Sequence, residues 1–183
     1  AYLLDSKPIH LFWTVFFLGF ICLVRPVNLL IICFVPLIAT HINQLAHRFR
    51  MAFTTHWKIT FSAFFVIVCI SQVQCWVWYQ QTGNWLHYAY GDESFIWTEP
   101  HIIDFLFSYR KGFFLWAPWF FLIIGYAIIY YIRKKNVYRI ITFLSSFGLL
   151  IYVLSSWWYW SYGGSIGARP MVDFYPALLL FVA

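Results

Sequence analysis

Three stretches of this 183-residue chain, residues 59–79, 112–132 and 140–160, each run 21 residues without an Asp, Glu, Lys or Arg. As helix, at about 1.5 Å per residue, each reaches across the ~30 Å hydrocarbon core of a bilayer. In hydrocarbon a backbone must satisfy its own hydrogen bonds, and apolar runs of this length do so as helices. The pattern therefore predicts an all-α, polytopic transmembrane bundle. Function has to be read from the few polar groups such a chain sets beside lipid, because those are costly to keep there.

Composition narrows the class. Apolar residues make up 63% of the chain and charged ones 10%, whereas a water-soluble surface draws on roughly a quarter charged residues. The net charge of +6 raises nucleic acid as a partner. The cations, however, collect between apolar segments instead of lining one polar face, so membrane topology explains them and no nucleic-acid partner is expected. Cys22, Cys33, Cys69 and Cys75 lie in apolar segments with neither a C-x-x-C pair nor a metal-ligand spacing, as expected of small buried hydrophobes. The chain starts Ala-Tyr-Leu-Leu and stops inside an apolar run at 177–183, which suggests an internal part of a longer protein whose remainder is its first partner.

The expected segments are residues 9–24, 27–40, 59–79, 112–132, 140–160 and a truncated 171–183, in one membrane domain. The first two are short for a full span. With Arg25 and Pro26 between them, they suit a hairpin of short helices or one kinked, re-entrant element. Orientation follows from cation placement. Lys7, Arg48, Arg50, Lys58, Arg133, Lys134, Lys135 and Arg139, eight of the twelve, fall on one side, taken as cytoplasmic. Arg25, Arg110, Lys111 and Arg169 fall on the other, with five of the six acids. The Trp-rich boundary on that outer side reads first as an interfacial belt and second as the lining of a sugar or lipid site. The expected location is a bacterial inner membrane, with membrane lipid as a partner.

Two outer stretches carry the candidate chemistry. In residues 91–111, Thr98-Glu99-Pro100 is a helix-start signal, predicting a short interfacial helix over 99–109. Three-and-four spacing sets His101, Asp104, Phe105 and Ser108 on one face, either a solvated face or a polar wall over a membrane-level cavity. Asp92 and Glu93 are either a solvated acidic pair or, with Asp104, contacts for an acceptor or a divalent cation; no metal-ligand set is discernible. Arg110 and Lys111 stand where the loop re-enters the membrane, suited to snorkelling or to a lipid phosphate. The second stretch is Tyr162-Gly163-Gly164-Ser165-Ile166-Gly167-Ala168-Arg169. Glycines there allow close backbone approach and offer amide donors. Arg169 needs a partner, which is either Asp173 four residues on or a bound phosphate.

These motifs carry a resemblance. Arg25-Pro26-Val27-Asn28, Pro100-His101 with Asp104, Phe107-Ser108 and Arg110, then Gly112-Phe113-Phe114-Leu115-Trp116-Ala117-Pro118, and finally Gly163-Gly164-Ser165-x-Gly167-x-Arg169 with Tyr175-Pro176 resemble bacterial integral-membrane glycosyltransferases of the GT-C fold. The branch is the one related to protein O-mannosyltransferases and lipid A aminoarabinose transferases. The resemblance implies transfer of a sugar from a polyprenyl-phosphate donor to an acceptor on the outer face, with inversion. It implies donor-phosphate contacts at Arg169, Gly163, Gly164, Ser165 and Gly167, and also at Arg110 and His101. The general base of such enzymes lies in a first external loop, which this stretch does not match, so no catalytic residue is carried over. Two rival readings remain: a transporter or flippase for lipid-linked saccharides, or a non-enzymatic assembly subunit.

Overall fold

A computed structural model describes residues 7–39, 42–87, 91, 93–164 and 166–182, with the side chains of Ile42 and Gln44 excepted. The described residues are helical and contain no strand; one isolated bridge joins Phe95 to Trp157. In order come α1 (Pro8–Val24), a 3-10 helix (Pro26–Ile38), α2 (Ile42–Thr54), α3 (Trp57–Thr82), α4 (Ile102–Phe107), α5 (Phe113–Trp116), α6 (Pro118–Arg133), α7 (Val137–Ser155), α8 (Arg169–Val172) and α9 (Tyr175–Leu179). Two of these, α3 and α7, are long and apolar enough to cross a membrane. The chain divides into two compact units, residues 1–29 with 38–91, and residues 30–37 with 92–183.

In the first unit α1 and α2 both pack on α3. The approach of α1 to α3 centres on Gly19, where a Cβ would stand 2.4 Å from Ile67 Cγ1. A small residue at that point lets the backbones close together. Leu11 of α1 meets Ala52 of α2 in a small buried cluster edged by Val15. Little else of α3 is covered: Phe61, Phe64, Phe65 and Trp76 are each more than half exposed. The helix ends at Gly83, whose φ of 75° is the left-handed cap that glycine takes without strain.

The second unit has a true core. Phe143 and Phe181 stack with centroids 3.9 Å apart, both fully buried. Phe113, Leu150, Leu154, Met171, Phe174 and Leu178 are buried to 1% exposure or less. Part of the 3-10 helix joins this unit, and the reason is a missing donor. Within a 3-10 helix the Cys33 carbonyl would accept from residue 36, but Pro36 has no N–H. Ser146 Oγ of α7 donates to that carbonyl instead, at 2.6 Å. The next carbonyls are also met from α7: Tyr138 donates to Pro36 O at 3.1 Å and Arg139 to Leu37 O at 3.4 Å.

Several expected segments are revised. The run 112–132 is interrupted at Ala117-Pro118, since Pro118 starts α6 and cannot continue α5. Residues 27–40 are 3-10 over Pro26–Ile38, after an extended break at Arg25. The helix α7 ends at Ser155, five residues short of the expected 160, and the described residues 169–182 hold two short helical turns, Arg169–Val172 and Tyr175–Leu179, each with a proline in its first turn, instead of the start of a span. The helix expected over 99–109 is Ile102–Phe107, shorter at both ends.

Candidate functional site

The site is built around the C-terminal end of α7, where the last helical carbonyls lack intrahelical donors. Two loops supply them. His101 N–H donates to Ser155 O at 3.1 Å and Ile96 N–H to Ser156 O at 2.7 Å, while Tyr162 Oη reaches back to Leu154 O at 2.8 Å. Trp158 N–H donates to Ser94 O at 3.1 Å and Tyr152 Oη to Trp97 O at 2.8 Å. The acidic loop and the glycine-bearing loop, some sixty residues apart in sequence, are thereby stitched to one helix end.

That stitching brings together several of the residues singled out in the sequence. On α4, His101 Nδ1 lies 3.3 Å from Asp104 Oδ2, with both side chains about half exposed, and the imidazole stands 6.1 Å from the Trp160 ring. A carboxylate in that position orients the ring. Phe105 turns the other way: expected on the polar face, it is buried and packs edge-on to Tyr162. Ser108 Oγ accepts from Arg110 N–H at 3.1 Å, which leaves His101 and Asp104 as the exposed polar pair of the expected face.

Arg110 donates to Tyr159 Oη at 2.9 Å, with its guanidinium 5.6 Å from the same ring. The Tyr159 phenol, outside α7, is held below its ordinary range by the Ser161 hydroxyl first and by Arg110 second. Ser161 Oγ is buried without a hydrogen-bond partner among the described residues, so the Arg110 bond is the firmer cause. Lys111 is 8% exposed and its Nζ donates to the Gly163 carbonyl. A buried ammonium needs such partners. The sequence marked Lys111, with Arg110, for snorkelling or a lipid phosphate; its hold on the glycine loop and the part played by Tyr159 were not marked. The available signals were the adjacency of Lys111 to Arg110 and the position of Tyr159 in the aromatic run 157–160.

In the glycine loop, Gly163 and Gly167 take φ of 76° and 62°, and Tyr162 shares that left-handed region at 51°. A Cβ on Gly163 or Gly164 would meet nothing within 4 Å, so the backbone there is open. Gly167 differs: a Cβ there would come 3.0 Å from Trp116 Cβ, so this glycine seats the loop against α5. Arg169 is exposed, its N–H donates to Gly167 O at 3.0 Å, and no ion pair joins it to Asp173 among the described residues. Ser165 and Asp92 lie outside the described residues; Glu93 is half-buried. No three His, Cys, Asp or Glu converge as metal ligands among the described residues.

The arrangement offers exposed cations, an open glycine backbone and partly exposed indoles at Trp116, Trp119 and Trp158, each about half accessible. Cations and amides suit an anionic oxygen, and indole faces suit a sugar or an acyl surface. What these features define is an all-helical protein with two helices able to cross a membrane. Comparison with known proteins found no matching family model, no matching curated protein and no matching solved structure.

Proposed function

We propose that this chain is part of a polytopic GT-C-type glycosyltransferase of a bacterial inner membrane, moving a sugar from a polyprenyl-phosphate donor to an acceptor on the outer face. The observation that carries the reading is the joining of Arg110 to Tyr159 and of Lys111 to Gly163, at the end of an apolar helix long enough to span. A lipid-phosphate donor needs cations at headgroup depth, an approachable backbone, and apolar surface beside them for its tail. Residues 108–119 and 158–169 hold cations, an open glycine backbone and exposed indoles, which supports the reading. In this reading Arg110 and Arg169 face the donor phosphate, and Lys111 holds the glycine loop in shape from beneath. His101, oriented by Asp104, stands by as a further donor to the phosphate. Asp92 and Glu93 remain candidates for acceptor contact.

The test is sugar transfer from a polyprenyl-phosphate donor by the full-length protein, with donor affinity measured separately. Hydrogen bonds to charged groups contribute ~1.5–3 kcal/mol, so Arg110→Gln and Arg169→Ala should each weaken donor binding by about tenfold or more. Donor affinity unchanged in both variants overturns the assignment.

A further inference from the structure

A second polar site lies elsewhere in the second unit, at the turn between α6 and α7. A cavity of about 350 Å³ is lined there by Tyr126, Ala127, Tyr130, Tyr131, Arg139 and Val182. This falls within the ~300–1,000 Å³ usual for small-molecule sites. Arg139 is fixed at its edge: the guanidinium sits 5.2 Å from the Tyr131 ring, bonds the Tyr131 hydroxyl, and donates to Leu37 O at 3.4 Å. Those bonds use two of its five donors. Lys134 rests 5.8 Å from the Tyr130 ring, so two neighbouring tyrosines each carry a cation. The hydroxyls of Tyr126 and Tyr130 bond no other described residue.

The charge here has no counterpart in the chain nearby. Arg133, Lys134, Lys135 and Arg139 fall within seven residues, and the sequence contains no Asp or Glu between Asp104 and Asp173. Among the described residues Arg139 makes no ion pair. Cations, tyrosine hydroxyls and a cavity together ask for an anion. The helix leading to the cavity says which kind. Leu122, Tyr126 and Ile129 of α6 follow one another at helical spacing and are 70%, 69% and 54% exposed. Tyr126, the middle residue of this track, also lines the cavity, so exposed side chains suited to acyl chains flank it.

We infer that this cavity binds the phosphate of an anionic glycerophospholipid, with Arg139 as the principal contact, Tyr126 and Tyr130 as donors, and Lys134 and Lys135 supplying long-range attraction. The inference rests on the membrane reading above and not on sugar transfer.

The experiment uses the full-length protein in nanodiscs holding equal amounts of phosphatidylglycerol and phosphatidylcholine, with lipid retention read by native mass spectrometry after release. Phosphatidylglycerol should be retained over phosphatidylcholine by about fivefold or more, with Arg139→Gln removing the preference and Lys134→Gln with Lys135→Gln reducing it severalfold. Arg139 also anchors Leu37, so if Arg139→Gln does not fold, the pair Tyr126→Phe and Tyr130→Phe supplies the reading; it should lower the preference about twofold to threefold. Equal retention of the two lipids by the unaltered protein overturns the inference. So does an undiminished preference in the folded Arg139→Gln variant or, failing that, in the double tyrosine variant. Displacement of phosphatidylglycerol by millimolar inorganic phosphate would assign the cavity to a soluble anion and overturn the lipid source. Sugar transfer is a separate readout, so loss of one property does not imply loss of the other.

Discussion

The two units of this chain are made of similar residues but are held together differently. In the first, α3 presents phenylalanines and tryptophans outward and meets α1 closely at Gly19, while Leu11 of α1 and Ala52 of α2 form only a small buried cluster. In the second, phenylalanines stack on one another in a buried core, and a side-chain donor from α7 reaches the one carbonyl that a proline has orphaned. Aromatic content alone therefore does not measure how much a segment is packed. Where the surroundings are lipid, an exposed Phe needs no protein partner, and small-residue contacts and hydrogen bonds bring helices together.

Truncation of a core ring should separate the units most sharply. Phe143→Ala, which empties the space against Phe181, is expected to cost ~3–5 kcal/mol, whereas Phe64→Ala on the open face of α3 should stay within about 0.5 kcal/mol. Thermal unfolding in detergent, following thiol accessibility, would check both, and equal costs would erase the distinction between the units. Next is Gly112→Ala. A Cβ at Gly112 would stand 2.5 Å from Ser108 N and 2.6 Å from Ser108 O, backbone atoms that cannot swing aside. Overpacking of this kind costs ~1–3 kcal/mol. Because Arg110 and Lys111 lie in the same turn, donor affinity should fall with stability, measurable by titration of the folded fraction.

The hydrogen-bond account of the 3-10 helix gives a finer test. Ser146→Ala leaves the Cys33 carbonyl unmet, at ~1–3 kcal/mol. Pro36→Ala restores an N–H where that carbonyl can accept it. In a double-mutant cycle read by unfolding midpoints, Ser146→Ala should cost measurably less in the Pro36→Ala background. Simple additivity would remove the explanation given for this contact. The smallest effect is expected at Gly19→Ala. The added methyl crowds Ile67, a side chain able to shift, and the ~1 kcal/mol gain in helix propensity offsets part of the strain. Ile67→Ala should convert the remaining loss into a gain, observed as a rise in melting temperature over Ile67→Ala alone.

The candidate site was legible only in pieces. Local signals marked the glycine turn, the Arg110-Lys111 step and the short helix carrying His101 and Asp104, because glycine, proline and charge each act within a few residues. They extended that helix too far in both directions and set Phe105 on its polar face. Burial against Tyr162 decided otherwise, and periodicity alone cannot tell which face of a six-residue helix will find a partner. The pairing of Arg110 with Tyr159, and of Lys111 with Gly163, spans about fifty residues, a distance over which no local pattern speaks.

By itself, the sequence determined the helical class and the clustering of cations at turns, and it offered three apolar runs of spanning length, two of which stand as helices long enough to cross a membrane, since hydrophobic length and charge are properties of a contiguous stretch. Only the tertiary structure decided that the run around Pro118 breaks, that a proline-containing 3-10 helix is completed by α7, and that Lys111 lies buried against a glycine carbonyl. Each of these depends on which group from a distant part of the chain arrives to satisfy a backbone or side-chain polar atom, and that choice is made by packing.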